Sequence, residues 1–105
     1  MDMSRVTLLE EALNADPSNT FARYALALEL SNSSQPTNAW AHFEYLLTHH
    51  PNYSATYLQA AKFLISQNRL DEGRQVLARG IEVTAKLGNQ HAQGELQATL
   101  DSLTG

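Results

Sequence analysis

The chain is 105 residues long, 43% hydrophobic and 17% charged, with a formal net charge of -4 and no cysteine. That length supports one small core and leaves no room for a second domain. The acidic balance argues against binding nucleic acid or an anionic membrane, and the missing thiols exclude disulfides and thiolate metal sites.

The opening stretch, MDMSRVTLLEE, has neither a basic leader nor a long apolar segment, so no signal peptide is expected. No run approaches the roughly 20 apolar residues that span a bilayer, and a cytoplasmic protein is the expectation. Asn32-Ser33-Ser34 and Asn52-Tyr53-Ser54 fit the glycosylation tripeptide, which matters only in a secreted chain and carries no weight here.

Val6, Leu9 and Leu13 recur at helical spacing and predict a first helix, stopped by Asp16-Pro17-Ser18-Asn19. Leu26 and Leu30 mark a second helix from Asn19 to Asn32. The stretch from Ser31 to Thr37, with Pro36, reads as a loose linker with local mobility, and Thr37 is placed to cap the third helix. That helix ends at His50-Pro51-Asn52, because proline disfavours the helical conformation in the residue before it and has no amide hydrogen. Tyr57, Ala60, Ala61 and Leu64 form the stripe of a fourth helix, closed by Gln67-Asn68-Arg69, where Asn68 can turn left-handed. The fifth ends at Leu87-Gly88-Asn89, where Gly88 makes the same turn more cheaply and Asn89 caps the sixth. In the sixth, Ala92, Leu96, Leu100 and Leu103 share a stripe, with Gln90, Glu95, Gln97 and Asp101 mostly away from it. No stretch alternates with period two, so the fold class is all-α, with six helices of about 11 to 17 residues.

Sliding the sequence by 34 residues superposes Leu9 on Phe43 and Leu77, Ala27 on Ala61, Leu30 on Leu64, and Pro17 on Pro51. A helix-turn-helix period of that length, with small residues at helix crossings, resembles the tetratricopeptide repeat, or TPR. Leu26, Ala27, Leu30, Ala39, Phe43 and Pro51 match in one repeat, and Tyr57, Ala60, Ala61, Leu64, Gly73, Leu77 and Gly80 in the next. The resemblance implies antiparallel hairpins stacked as a short right-handed superhelix in a single domain over residues 1–105. Its parts are a half-repeat at 3–17, repeats at 18–51 and 52–87, and a cap helix at 89–103. Departures are Arg23 for a bulky aromatic, Ser34 for glycine, Leu46 for alanine and Ala85 for a third proline. The pattern also has a physical cause, since a lone hairpin cannot bury both its apolar faces and must stack.

Chemistry is scarce. There is no cysteine-histidine pair, glycine-rich phosphate loop or H-E-x-x-H run, so no catalytic site, metal or cofactor is expected and the chain is not read as an enzyme. His49 and His50 are adjacent, about 100° apart on a helix, and suit its carboxyl-terminal end better than a shared ligand. His42 and His49 share a face, but two ligands fall short of the three or four that structural and catalytic metal sites use.

A surplus apolar face is the stronger functional signal. On the second helix Leu26, Ala27 and Leu30 point one way, while Phe21, Tyr24 and Leu28 cluster roughly 130° away. On the fourth, the corresponding face carries Leu58, Lys62 and Ile65. By resemblance these six positions line the concave groove in which TPR proteins hold extended or helical peptides. This face lacks the paired asparagines and clustered basic residues with which some members clamp a terminal carboxylate. A non-catalytic module binding a partner protein or peptide is therefore the expected function. The alternative is a structural self-assembly unit, a homodimer or larger oligomer using this groove or the amino-terminal edge, where Leu8 lies off the stripe of a half-hairpin.

Overall fold

Turn and capping chemistry cuts the chain into helices. The computed structural model describes residues 3–33 and 36–104. Among these residues there are six helices and no strand: α1 (Met3–Ala15), α2 (Thr20–Ser31), α3 (Thr37–His49), α4 (Ala55–Ser66), α5 (Leu70–Leu87) and α6 (Gln90–Thr104).

At the first break the Asp16 carboxylate accepts from the Ser18 amide (3.1 Å) and hydroxyl (2.7 Å), and Asn19 then caps α2 by accepting from the Ala22 amide at 3.0 Å. Asn89 caps α6 in the same way, 3.1 Å from the Ala92 amide. Asn68 (φ 60°) and Gly88 (φ 72°) make the left-handed exits expected of them. Thr37 differs from expectation: it is the first residue of α3, and the cap position belongs to Pro36 at φ -72°, ψ -14°. Proline's fixed φ already matches the helix, so the helical path starts one residue earlier. Ser34 and Gln35, the centre of the expected loose linker, lie outside the described residues. Ser33 beside them is tied to α2 through its amide and hydroxyl, which reach Leu30 O at 3.1 and 2.7 Å.

The chain divides into two compact units, Met1–His50 and Pro51–Gly105. In the first, α2 packs on both α1 and α3. Val6 and Leu13 of α1 meet Ala22 and Leu26 of α2, with Leu9, Ala12 and Leu30 against them. Ala39, Phe43 and Leu46 of α3 are fully buried. Burying a leucine or phenylalanine side chain contributes about 1.5–3 kcal/mol, far more than the half-exposed Arg5–Glu29 ion pair across α1 and α2.

In the second unit α5 packs on both α4 and α6, and its course depends on two glycines. A Cβ at Gly80 would stand 2.7 Å from Tyr57 Cβ, 2.8 Å from Tyr57 Cγ and 3.0 Å from Leu96 Cδ1. The α5 backbone therefore runs directly against Tyr57 of α4 and Leu96 of α6, which only a residue without a side chain permits. At Gly73 the nearest atom would be Ile65 Cγ1, at 3.3 Å. Thr84, also fully buried, donates its hydroxyl to Gly80 O at 2.8 Å, whereas the buried Thr56 hydroxyl has no hydrogen-bond partner.

These surroundings give two glycines opposite signs. Gly80→Ala should destabilise the chain by about 1–3 kcal/mol, because Tyr57 Cβ and Cγ lie too near their own backbone to yield. Gly94→Ala, on α6 with nothing within 4 Å of its added Cβ, should stabilise by about 0.5–1 kcal/mol. Urea unfolding of both variants measures the difference, and shifts of the same sign would contradict this packing.

Candidate functional site

The 34-residue period places Arg23 on Tyr57, Tyr45 on Arg79 and Leu46 on Gly80. In the second unit the Tyr57 hydroxyl donates to the carbonyl of Pro51 at 2.5 Å, joining α4 to the turn before it. In the first, Arg23 Nη2 donates to the carbonyl of Pro17 at 2.8 Å. The same bond to the same repeat position is thus made by a phenol in one unit and a guanidinium in the other. Their partners are exchanged as well. Arg23 Cζ lies 3.7 Å from the centre of the Tyr45 ring, and Arg79 Cζ lies 5.9 Å from that of Tyr57. Arg23, a departure from the repeat pattern, fills the aromatic's place by hydrogen bonding and by lying on a ring.

Arg23 also reaches α3, where its Nη1 is 3.2 Å from His42 Nδ1. A guanidinium has only donors, so a hydrogen bond at this contact requires a lone pair on the imidazole nitrogen facing it, as in the neutral Nε2–H tautomer. Burial, and then the Arg23 charge, hold the His42 pKa below its ordinary value, while Glu10 pulls it upward. Arg23 Nε is buried without a partner. These groups form one side of a surface pocket of about 660 Å³ in the first unit, with Glu10 and Glu11 of α1 opposite and Leu13 and Leu26 within it.

His49 sits at the end of α3, where its Nδ1 donates to Tyr45 O at 3.1 Å and its ring stacks on Tyr45 with centroids 4.0 Å apart. The His50 ring lies 6.0 Å from that of Tyr45, tilted. His42 and His49 thus each engage Nδ1 within the protein. Among the described residues no group of three or more histidine, aspartate or glutamate side chains is placed to hold a metal ion.

The six positions singled out in the sequence fall in two sets of three. On α2 Phe21 is 62% exposed, and Tyr24 and Leu28 are half-buried. On α4 Lys62 is exposed, and Leu58 and Ile65 are half-buried. Ile65 has a second task, since its Cγ1 lies over Gly73 of α5. The pocket and the Arg23 contacts were not foreseen. Their one trace in the sequence is the arginine where the pattern expects an aromatic.

Among the described residues no helix is long and apolar enough to cross a membrane. A family model described as tetratricopeptide repeat matches residues 33–100. A tetratricopeptide repeat domain protein from Salinibacter ruber, solved by solution NMR, is similar at 35% identity and a TM-score of 0.79, covering 84% of this chain and 89% of that one. A crystal structure of a tetratricopeptide repeat domain protein from the same organism gives 34% identity and a TM-score of 0.77, covering 84% of this chain and 98% of that one. A protein from Bordetella parapertussis gives 26% identity and a TM-score of 0.80, covering 94% and 86%. No curated protein matches the chain.

Proposed function

Because the chain belongs to the tetratricopeptide repeat family, whose members are generally non-catalytic modules that bind other proteins, we propose that it docks an apolar helix or extended segment of a partner protein. The contacts are Phe21, Tyr24 and Leu28 on α2 and Leu58, Lys62 and Ile65 on α4. Residues 3–17 would serve as a half-repeat, 18–51 and 52–87 as full repeats and 89–103 as the cap.

Phe21 carries this reading. It leaves 62% of its surface in water, on a helix whose core side is already supplied by Ala22, Leu26 and Leu30. An aromatic side chain offers a large contact area at small entropic cost, which is why aromatics dominate many protein interfaces. Charge narrows the choice of partner. Six acidic and two basic side chains precede residue 51, and five of each follow it, so all of the net charge of -4 belongs to the first unit. A neutral or basic segment suits the α2 face, where an acidic one would be repelled.

One observation favours pairing with a second copy: Leu8, on α1, is 65% exposed. A self-associating edge would bury it.

Phe21→Asp should reduce recovery of partner proteins from a cell extract by about tenfold, with the helical circular dichroism unchanged. Unchanged recovery would overturn the docking face. Self-pairing predicts a mass in light scattering that rises with concentration in the parent chain and stays monomeric in Leu8→Glu. A parent chain that is monomeric throughout would overturn it.

A further inference from the structure

The two units close on their proline carbonyls with groups of different acid-base chemistry. Tyr57 donates as a neutral phenol, and burial raises its pKa above the ordinary 10.0 against the opposing pull of Arg79. It keeps its proton throughout the acidic and neutral range. Arg23 is always charged, but the neighbour that accepts from its Nη1 is a histidine.

We propose that the Arg23–His42 contact is a proton-sensitive latch: mild acid protonates His42, withdraws an acceptor from Arg23 and loosens α2 against α3, while the Tyr57 closure of the second unit stays intact. This inference does not depend on the docking reading.

Protonation turns His42 Nδ1 from acceptor to donor and sets an imidazolium against a guanidinium 3.2 Å away. Arg23 Nε already lacks a partner, so the guanidinium would keep only the Pro17 carbonyl and the Tyr45 ring. The surrounding charges do not all act alike. Arg23 on α2 opposes the proton and Glu10 on α1 favours it, and Glu11 lines the same pocket. On α3 itself, the His49 imidazole stacks on the same Tyr45 ring that the Arg23 guanidinium lies over. Burial adds to the effect of Arg23 and leaves the folded His42 below its ordinary value of 6.5. The folded chain then binds this proton less readily than the unfolded chain. The latch therefore contributes its full stability above the ordinary histidine value and loses it as pH falls through the lower, folded one.

Two measurements on the full chain test this. Nitrogen-correlated NMR of the imidazoles should show His42 as the Nε2–H tautomer, titrating at lower pH than the same ring in the urea-unfolded chain, and Arg23→Gln should move its midpoint up. Amide exchange compared about one pH unit above and about one below the His42 midpoint so measured, after correction for the intrinsic rate, should show protection lost in α2 and α3 but kept in α4 and α5. His42→Asn, which keeps an acceptor near the Nδ1 position but cannot titrate, should abolish that selective loss. An Nδ1–H tautomer, a midpoint equal to that of the unfolded chain, or the same acid loss in His42→Asn would each overturn the latch. If a variant fails to fold, the tautomer and midpoint of the parent chain decide.

Discussion

Each hairpin of this chain depends on a bond from its first helix back to the carbonyl of the proline that precedes it. Proline ends one helix, and its own carbonyl, lying in the turn, accepts from a side chain six residues later. That bond holds the start of the new helix against the turn, and the helix then presents its apolar stripe to its neighbours. Tyr57 and Arg23 both make it.

The chemistry of the closing residue sets what its surroundings must be. A tyrosine brings a rigid ring, so the helix across from it must approach without a side chain, and Gly80 allows this. An arginine brings a narrow stem and a planar head, so Leu46 can occupy the place aligned with Gly80, and the head needs acceptors and a ring face. Tyr45, the Pro17 carbonyl and neutral His42 supply them. The second unit is closed mainly by packing and the first partly by polar groups. This makes the first the more responsive to pH, and it is also the unit that carries the exposed Phe21 and Leu8.

Much of the fold was legible in the sequence because helix breaks rest on local chemistry. Pro17, Pro51, Asn68, Gly88 and Asn89 act within a few residues of themselves, and each does at its turn what its type predicts. Thr37 was misread for a local reason too, since Pro36 takes the cap position without a side-chain bond. The contacts of Arg23 were not legible. His42 is 19 residues away, and periodicity alone cannot say which side chains face one another between two helices. Spacing puts Ile65 on one face of α4 with Leu58 and Lys62, but its packing over Gly73 becomes visible only once α4 and α5 lie together.

The central claim is that positions 23 and 46 are matched to each other as positions 57 and 80 are. A double-mutant cycle in urea on Arg23→Tyr, Leu46→Gly and their combination tests it most directly. Tyrosine alone should be overpacked against Leu46 and glycine alone should leave a void, so each single variant should lose stability. The pair should recover at least about 1 kcal/mol of the summed loss. Strictly additive losses would contradict the matching and leave Arg23 as an incidental substitution.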